Sequence, residues 1–359
     1  MFLAIRDIRF AKGRFALMAS VVALITLLLV MLSGLTAGLG NQSTSAIGAL
    51  PVQQIVFGAT AGGEPKTSYT ESEVSLDQLE SWREQPGIAS AQELGISQTR
   101  VQSLGPDGMA IGTANIAVFG GTVAPAAVED GTVVVGETLA KDFSLEAGSL
   151  VRVGGTELTV SDVVEDQWYS HAGVVWTTLD TWRTIAHASP GSATVIAATF
   201  DAGSSVDLDA ANAAAGTVST DPVGSFQALS SYKSENGSLM LMQAFLYGIS
   251  ALVIVAFLTV WTVQRTRDIA VLKALGASSG YVLRDALAQA AMVLLIGALV
   301  GGLTGVVGGT FAARAAPFLI TPLTTLVPIA GIILLGLAGA VLAVRSVTKV
   351  DPLLALGGN

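Results

Sequence analysis

Residues Thr262–Arg284, TVQRTRDIAVLKALGASSGYVLR, decide how this chain folds, because they form a short charged segment between two long uncharged runs. Arg265, Arg267, Lys273 and Arg284 stand there against Asp268 alone. A charged link between apolar spans reads as a cytoplasmic loop of a membrane protein. Ile269, Leu272 and Leu275 recur at near-helical spacing, which predicts a short amphipathic helix that Gly276 can end. Such a helix is where a partner protein would push on the chain; the alternative is an interfacial helix lying against lipid.

Working outward, Asn236–Gln264 precedes this loop and Ala286–Ala313 follows it, and Phe15–Leu39 and Ala315–Val344 are also free of charge. Each exceeds the roughly 20 residues a helix needs to cross the hydrocarbon core. The predicted order is an amphipathic cytoplasmic or interfacial helix (1–14), a first span (15–39), a large extracellular domain (40–235) and a second span (236–264). The loop (265–285), a third span (286–313), a short outer turn (314–322), a fourth span (323–344) and a cytoplasmic tail (345–359) complete it. Four spans place both termini on one side, and the basic flanks all fall on that side, which the positive-inside bias makes cytoplasmic. The expected location is a bacterial plasma membrane, crossed several times.

At the start, Phe2, Ile5 and Ile8 make one apolar stripe, while Arg6, Arg9, Lys12 and Arg14 supply anchors for the headgroup layer. A signal peptide is the competing reading. It is disfavoured because Phe15–Leu39 is longer than an apolar signal core and has no convincing small-residue cleavage site at its end.

Composition agrees. The chain of 359 residues is 51% hydrophobic and 13% charged, with a mean hydropathy of +0.64, against about 25% charged residues in ordinary soluble domains. The absence of cysteine removes disulfide scaffolds, thiolate metal sites and thiol catalysis. His171 and His187 are the only histidines, too few for an imidazole metal cluster, and each reads first as a structural or surface residue. Residues 40–238 hold 7 basic and 23 acidic residues, a net of −16. So acidic an outer domain argues against nucleic acid, which needs a positive face. No charge falls inside an uncharged run, which disfavours an intramembrane ion relay.

Gly297, Gly301, Gly305 and Gly309 stand four apart in the third span, and Gly34 and Gly38 repeat the spacing in the first. Small residues at this interval let helices approach closely. The close neighbour is either a helix of the same chain or a second copy in a homodimer.

The outer domain reads as α/β with a β-rich insert at about 120–182. Pro51–Phe57 has strand character. Ser75–Leu76–Asp77–Gln78 is a capping box opening a helix with Leu76, Leu79 and Trp82 on one face. Gly105–Pro106–Asp107–Gly108 predicts a hairpin turn. Short strands with turns at Ala147–Gly148 and Gly154–Gly155 fill 131–182, Ala193–Phe200 is another strand and Val206–Ala215 a helix.

Four features together resemble the FtsX-like, macrolide-exporter-type permeases of ATP-binding cassette systems. They are the basic amphipathic start FLAIRDIRFAKGRF, the order span–ectodomain–three spans, the loop motif TRDIAVLKALGAS and the terminal SVTKVDPLLAL. The segment GTVVVGETLAKDFSLEAGSLVRVGGTELTV is similar to the small β-rich subdomain of that family. The resemblance implies a homodimer, or close heterodimer, working with two cytoplasmic ATPase subunits. It also implies that Arg267, Asp268, Ile269, Leu272, Lys273, Leu275 and Gly276 belong to the coupling helix docking on them. The sequence lacks G-x-x-x-x-G-K-[ST], the phosphate-cradling loop, so ATP and its magnesium are expected on the partner subunit. No intrinsic cofactor and no metal site are expected.

Within that family, RDIRFAKGRFALM and the polar exit Gly40–Asn41–Gln42 resemble the Hrt-type haem-exporter permeases of Gram-positive bacteria. The resemblance implies haem as a transported ligand. Haem iron accepts His, Met, Tyr or Cys. Just before the second span, Tyr232 is the candidate iron ligand, Glu235 a second oxygen donor and Lys233 a propionate partner, with Met240 and Met242 one or two turns deeper. Tyr232 serves equally as an interfacial aromatic anchor, and the methionines as packing. Export of haem or a similar amphipathic compound is the first expectation. The alternatives are an FtsX-like mechanotransmitter regulating an extracellular partner such as a cell-wall hydrolase, and an exporter of antimicrobial peptides or lipid-linked molecules. No nucleophile–base pair, carboxylate pair or metal spacing points to an autonomous enzyme.

Overall fold

The computed structural model describes residues 12–60, 63–105, 108–264, 271 and 276–348. They fall into two units, one within 1–39 and 238–359 and the other Gly40–Gly237.

Helix α1 (Lys12–Gly48) does not stop at the predicted span end but continues through GNQSTSAIG. Thr26, Thr36 and Thr44 donate their hydroxyls to the carbonyls of Val22, Leu32 and Gly40, each four residues back, so polar side chains interrupt neither helix nor hydrogen bonding.

Strand β1 (Gln54–Phe57) and β2 (Val74–Ser75) follow, then α2 (Leu76–Arg83). The predicted capping box is present: Gln78 N donates to Ser75 Oγ at 3.3 Å and Ser75 N donates to Gln78 Oε1 at 3.1 Å. Leu79 and Trp82 are buried, but Leu76 is half exposed, contrary to expectation. It occupies the first helical position, beside Gly191 rather than over the core.

Next come β3 (Ile88–Leu104), β4 (Ala110–Gly120), β5 (Thr132–Gly136), α3 (Glu137–Phe143), β6 (Leu150–Val153), β7 (Thr156–Val164), β8 (Trp168–Tyr169) and β9 (Ala172–Thr177). Helix α4 (Leu179–Ala186), β10 (Ser192–Ala193), β11 (Val195–Phe200), α5 (Leu208–Ala215), β12 (Val218–Thr220) and a 3-10 turn at Gly224–Ala228 complete the unit. The short helices α3 and α4 were not anticipated within the β-rich stretch.

The main sheet runs β12-β1-β11-β3-β4-β9-β5-β7-β6, and β3 also pairs with β6. The six strands β3, β4, β9, β5, β7 and β6 therefore form a closed circuit. The first half of β3 pairs with β11 and its second half with β4, so one long strand serves both parts of the sheet. This corrects the insert boundary: closure recruits residues 95–104 and 110–120, ahead of the expected start near 120. Val101, Ile116, Val118, Val151, Val160 and Trp182 share the buried core of the circuit. Gly95 and Gly120 make room for Trp182; a Cβ on either would lie 2.1 or 2.2 Å from its side chain.

In the other unit, α1 is joined by α6 (Ser230–Gln264, from Ser238 on), α7 (Ser279–Ala312) and α8 (Pro322–Thr348). Among the described residues these are four helices long and apolar enough to cross a membrane. Ser278 caps α7 by accepting from Tyr281 N at 3.2 Å, just after Gly276 at φ +93°. Because α7 begins at Ser279, Arg284 and Asp285 belong to a helix rather than to the loop, and the apolar span from Leu283 carries both at its end. Gln289 Nε2 donates to Asp285 Oδ2 at 2.8 Å, one turn along. The glycine ladder meets side and main chain of the same protein: Gly297 and Gly301 abut Ala19, Val22 and Ala23, Gly305 abuts Val30 and Gly309 abuts Phe318. Gly34 and Gly38 meet Phe318 and Pro317.

Candidate functional site

The clearest polar assembly of the large unit is the hairpin between β8 and β9. Its two turn residues, Ser170 and His171, both have left-handed backbones, at φ 46° and 63°. Two such residues in succession suit a tight hairpin with the right-handed twist of the strands. Non-glycine residues there cost roughly 1–2 kcal/mol each, so other bonds must hold the tip.

Those bonds come from two helices. Ser170 N donates to Ser43 O at 3.0 Å and His171 N to Gln42 O at 2.9 Å, both in α1. Trp168 N donates to Ser45 Oγ at 2.9 Å. On α6, Ser170 Oγ lies 3.1 Å from Ser231 Oγ, and His171 Nε2 lies 2.8 Å from Glu235 Oε2. Ser231 and Glu235 are one turn apart on one helix face. His171 Nε2 is also 3.2 Å from Ser43 Oγ, so one ring nitrogen touches both helices. The His171 and Glu235 side chains are 32% and 43% exposed, which leaves the pair open to solvent.

The sequence-selected residues divide around this pair. Tyr232 is partly buried: its ring meets Phe226 edge to face at 5.8 Å and rests beside Gly40. Lys233 is exposed. Glu235 points to His171 rather than to Tyr232. Met240 and Met242 lie further along α6 with exposed side chains. His187 ends α4 as an exposed left-handed cap, outside the hairpin. Arg267, Asp268, Ile269, Leu272, Lys273 and Leu275, and most of 1–14, lie outside the described residues.

Behind the hairpin, Phe57, Tyr69, Tyr169, Phe119 and Trp176 form a file of ring contacts at 5.0 to 5.8 Å. Burial drives the phenol of Tyr69 well above the ordinary range, partly offset by its hydrogen bond to Ser225 Oγ at 2.9 Å. Burial does the same to Tyr169. Both stay neutral, so neither offers a phenolate to a metal.

Sequence reasoning named Glu235, set His171 aside, gave Ser231 no role in the segment Ser231–Glu235, and overlooked Ser43, Ser45 and Ser170. One signal was available: Trp168–Tyr169–Ser170–His171–Ala172 sets two polar residues between short strand-forming pieces. That the polar tail of α1, Gln42–Ser45, would meet them had no counterpart in the sequence.

Residues 15–218 match the MacB-like periplasmic core domain, and residues 240–352 match the FtsX-like permease C-terminal domain. Along its whole length the chain is 22% identical to a putative hemin transport system permease protein HrtB of Staphylococcus haemolyticus, covering 99% of that protein. It is 24% identical, over all of this chain and 99% of the relative, to an uncharacterised ABC transporter permease of Mycobacterium tuberculosis. The periplasmic region of MacB from Actinobacillus actinomycetemcomitans is a solved structure similar to 49% of this chain and 91% of its own, at 10% identity and a TM-score of 0.36. The chain therefore belongs to the FtsX-like, MacB-type permeases of ABC transporters, membrane subunits that imply a partner ATPase.

Proposed function

We propose that this protein is the membrane subunit of an ATP-driven exporter whose cargo is haem or a similar amphipathic compound. The observation that carries this reading is Glu235: a partly exposed carboxylate near the start of α6, within a helical turn of Tyr232 and Lys233. The full-length likeness to a putative hemin transport permease supports the choice of cargo. Haem is flat, apolar and anionic at its propionates. Glu235 would supply an oxygen to the iron, Tyr232 a ring or hydroxyl, and Lys233 a partner for a propionate. Two copies of the chain would work with an ATPase dimer docked on 267–277, in a plasma membrane with both termini cytoplasmic.

The test is hemin titration of the purified chain, followed by its absorption spectrum. A Tyr232→Ala, Glu235→Ala double variant is expected to lose the bound-hemin spectrum while still assembling with itself. An unchanged spectrum, with unchanged haem tolerance in cells, would overturn the cargo reading.

A further inference from the structure

We propose that the Trp168–His171 hairpin tip is a releasable clamp on α1 and α6, in which His171 holds the Glu235 carboxylate until a ligand takes its place. As far as the ligand is haem, this rests on the reading above; the clamp itself rests on geometry alone. Polar contacts fix the tip: Ser170 N and His171 N on the α1 carbonyls, Trp168 N on Ser45, Ser170 on Ser231, and His171 on both Ser43 and Glu235. Ser43 is fully buried, whereas the His171 and Glu235 side chains are partly exposed, so their contact is the one that water or a ligand can replace. Both tip residues are held in left-handed backbone that they would leave on release. Strain at the tip persists only while the surrounding bonds hold it, so loss of the His171–Glu235 contact favours release of the tip.

Glu235 connects this device to ligand binding. Its Oε2 is engaged by His171 and is only partly shielded from solvent. A ligand that coordinates through the same oxygen competes with His171, so binding favours an open clamp. By linkage, opening the clamp favours binding by the same factor. His171 is thus a positioning residue for Glu235.

The chain has no cysteine, so a single engineered disulfide can lock the clamp without side reactions. Ser170→Cys with Ser231→Cys is suited to this because the two hydroxyl oxygens already lie 3.1 Å apart. The experiment uses the full chain with its ATPase in lipid nanodiscs, with hemin and iron-free protoporphyrin as probes. His171→Ala is expected to bind hemin about two- to fivefold more tightly, in line with the loss of one partly solvated polar contact. His171→Gln, which keeps a donor, should stay near wild type. The oxidised disulfide should weaken hemin binding, and reduction should restore it; protoporphyrin should respond to neither change. Hydrogen exchange reads the clamp without any ligand: the Ser170 and His171 amides should exchange faster during ATP turnover than without nucleotide.

Unchanged or weaker hemin binding by His171→Ala, or a lock without effect, would overturn the competition. Equal amide protection in all nucleotide states would overturn the clamp. A wild-type chain that binds no hemin but opens at 168–171 during turnover would refute the cargo reading and leave the clamp standing.

Discussion

His171 Nε2 lies 2.8 Å from Glu235 Oε2, joining residues 64 positions apart across a β-turn and the beginning of a helix. The pair is polar, half open to water and strung between a hairpin and α6. Its energetic worth is small compared with the core behind it, which suits a contact that is made and broken.

A double-mutant cycle with His171→Ala and Glu235→Ala should give a coupling energy of about 0.5–1 kcal/mol, the range for solvent-exposed pairs. Thermal unfolding of the full chain in detergent measures it. A coupling well above 2 kcal/mol would mean that the pair is a structural anchor.

Helix packing around the glycine ladder is predicted to be uneven. A Cβ at Gly301 would lie 2.2 Å from Ala23 O, whereas one at Gly308 would meet only Met31 Sδ at 3.5 Å. Gly301→Ala should destabilise the helical unit by about 1–3 kcal/mol, and Gly308→Ala should be near neutral. Unfolding in mixed detergent, followed by α-helical circular dichroism, separates the two.

Alkaline stability follows from Tyr69. Burial raises its pKa in the folded chain above the ordinary value of 10.0, so its contribution is complete below that value. As pH climbs past about 10 the unfolded chain loses the phenolic proton first, and stability falls with a slope set by that difference. Tyr69→Phe should lower stability at neutral pH by about 1 kcal/mol through the lost bond to Ser225 and flatten the alkaline decline. Urea unfolding at pH 7 and pH 10.5 tests both parts.

The loop deserves its own variant. Leu272→Asp places a charge on the expected apolar stripe and should uncouple ATP hydrolysis from function, reducing co-purification of the ATPase at least tenfold while leaving the spans folded. Full co-purification with full ATP-dependent activity would remove the stripe as the docking face.

Much of the fold was legible because it obeys local rules. The capping box at Ser75 and Gln78, the antiparallel pairing of β3 with β4 and the uncharged runs each depend on neighbours in the chain. Leu76 failed because burial depends on what lies opposite, and a helix's first turn can overhang its partner. Helix α1 overran its expected end because polar residues such as Thr44 bond to carbonyls of their own helix. The candidate site was half legible: Glu235 stood out beside an apolar run, whereas Ser170 and His171 became informative only once the hairpin was in place.

What the sequence determined by itself is the class of machine. Hydropathy, basic flanks and the TRDIAVLKALGAS motif are one-dimensional properties, and they suffice to place the chain among the FtsX-like permeases. Only the tertiary structure decided that β3 closes the six-strand circuit, that α1 of the same chain packs on Gly297, Gly301 and Gly305, and that His171 meets Glu235. Each of these pairs residues far apart in the chain, and the free energy of such contacts depends on distances that no local pattern encodes.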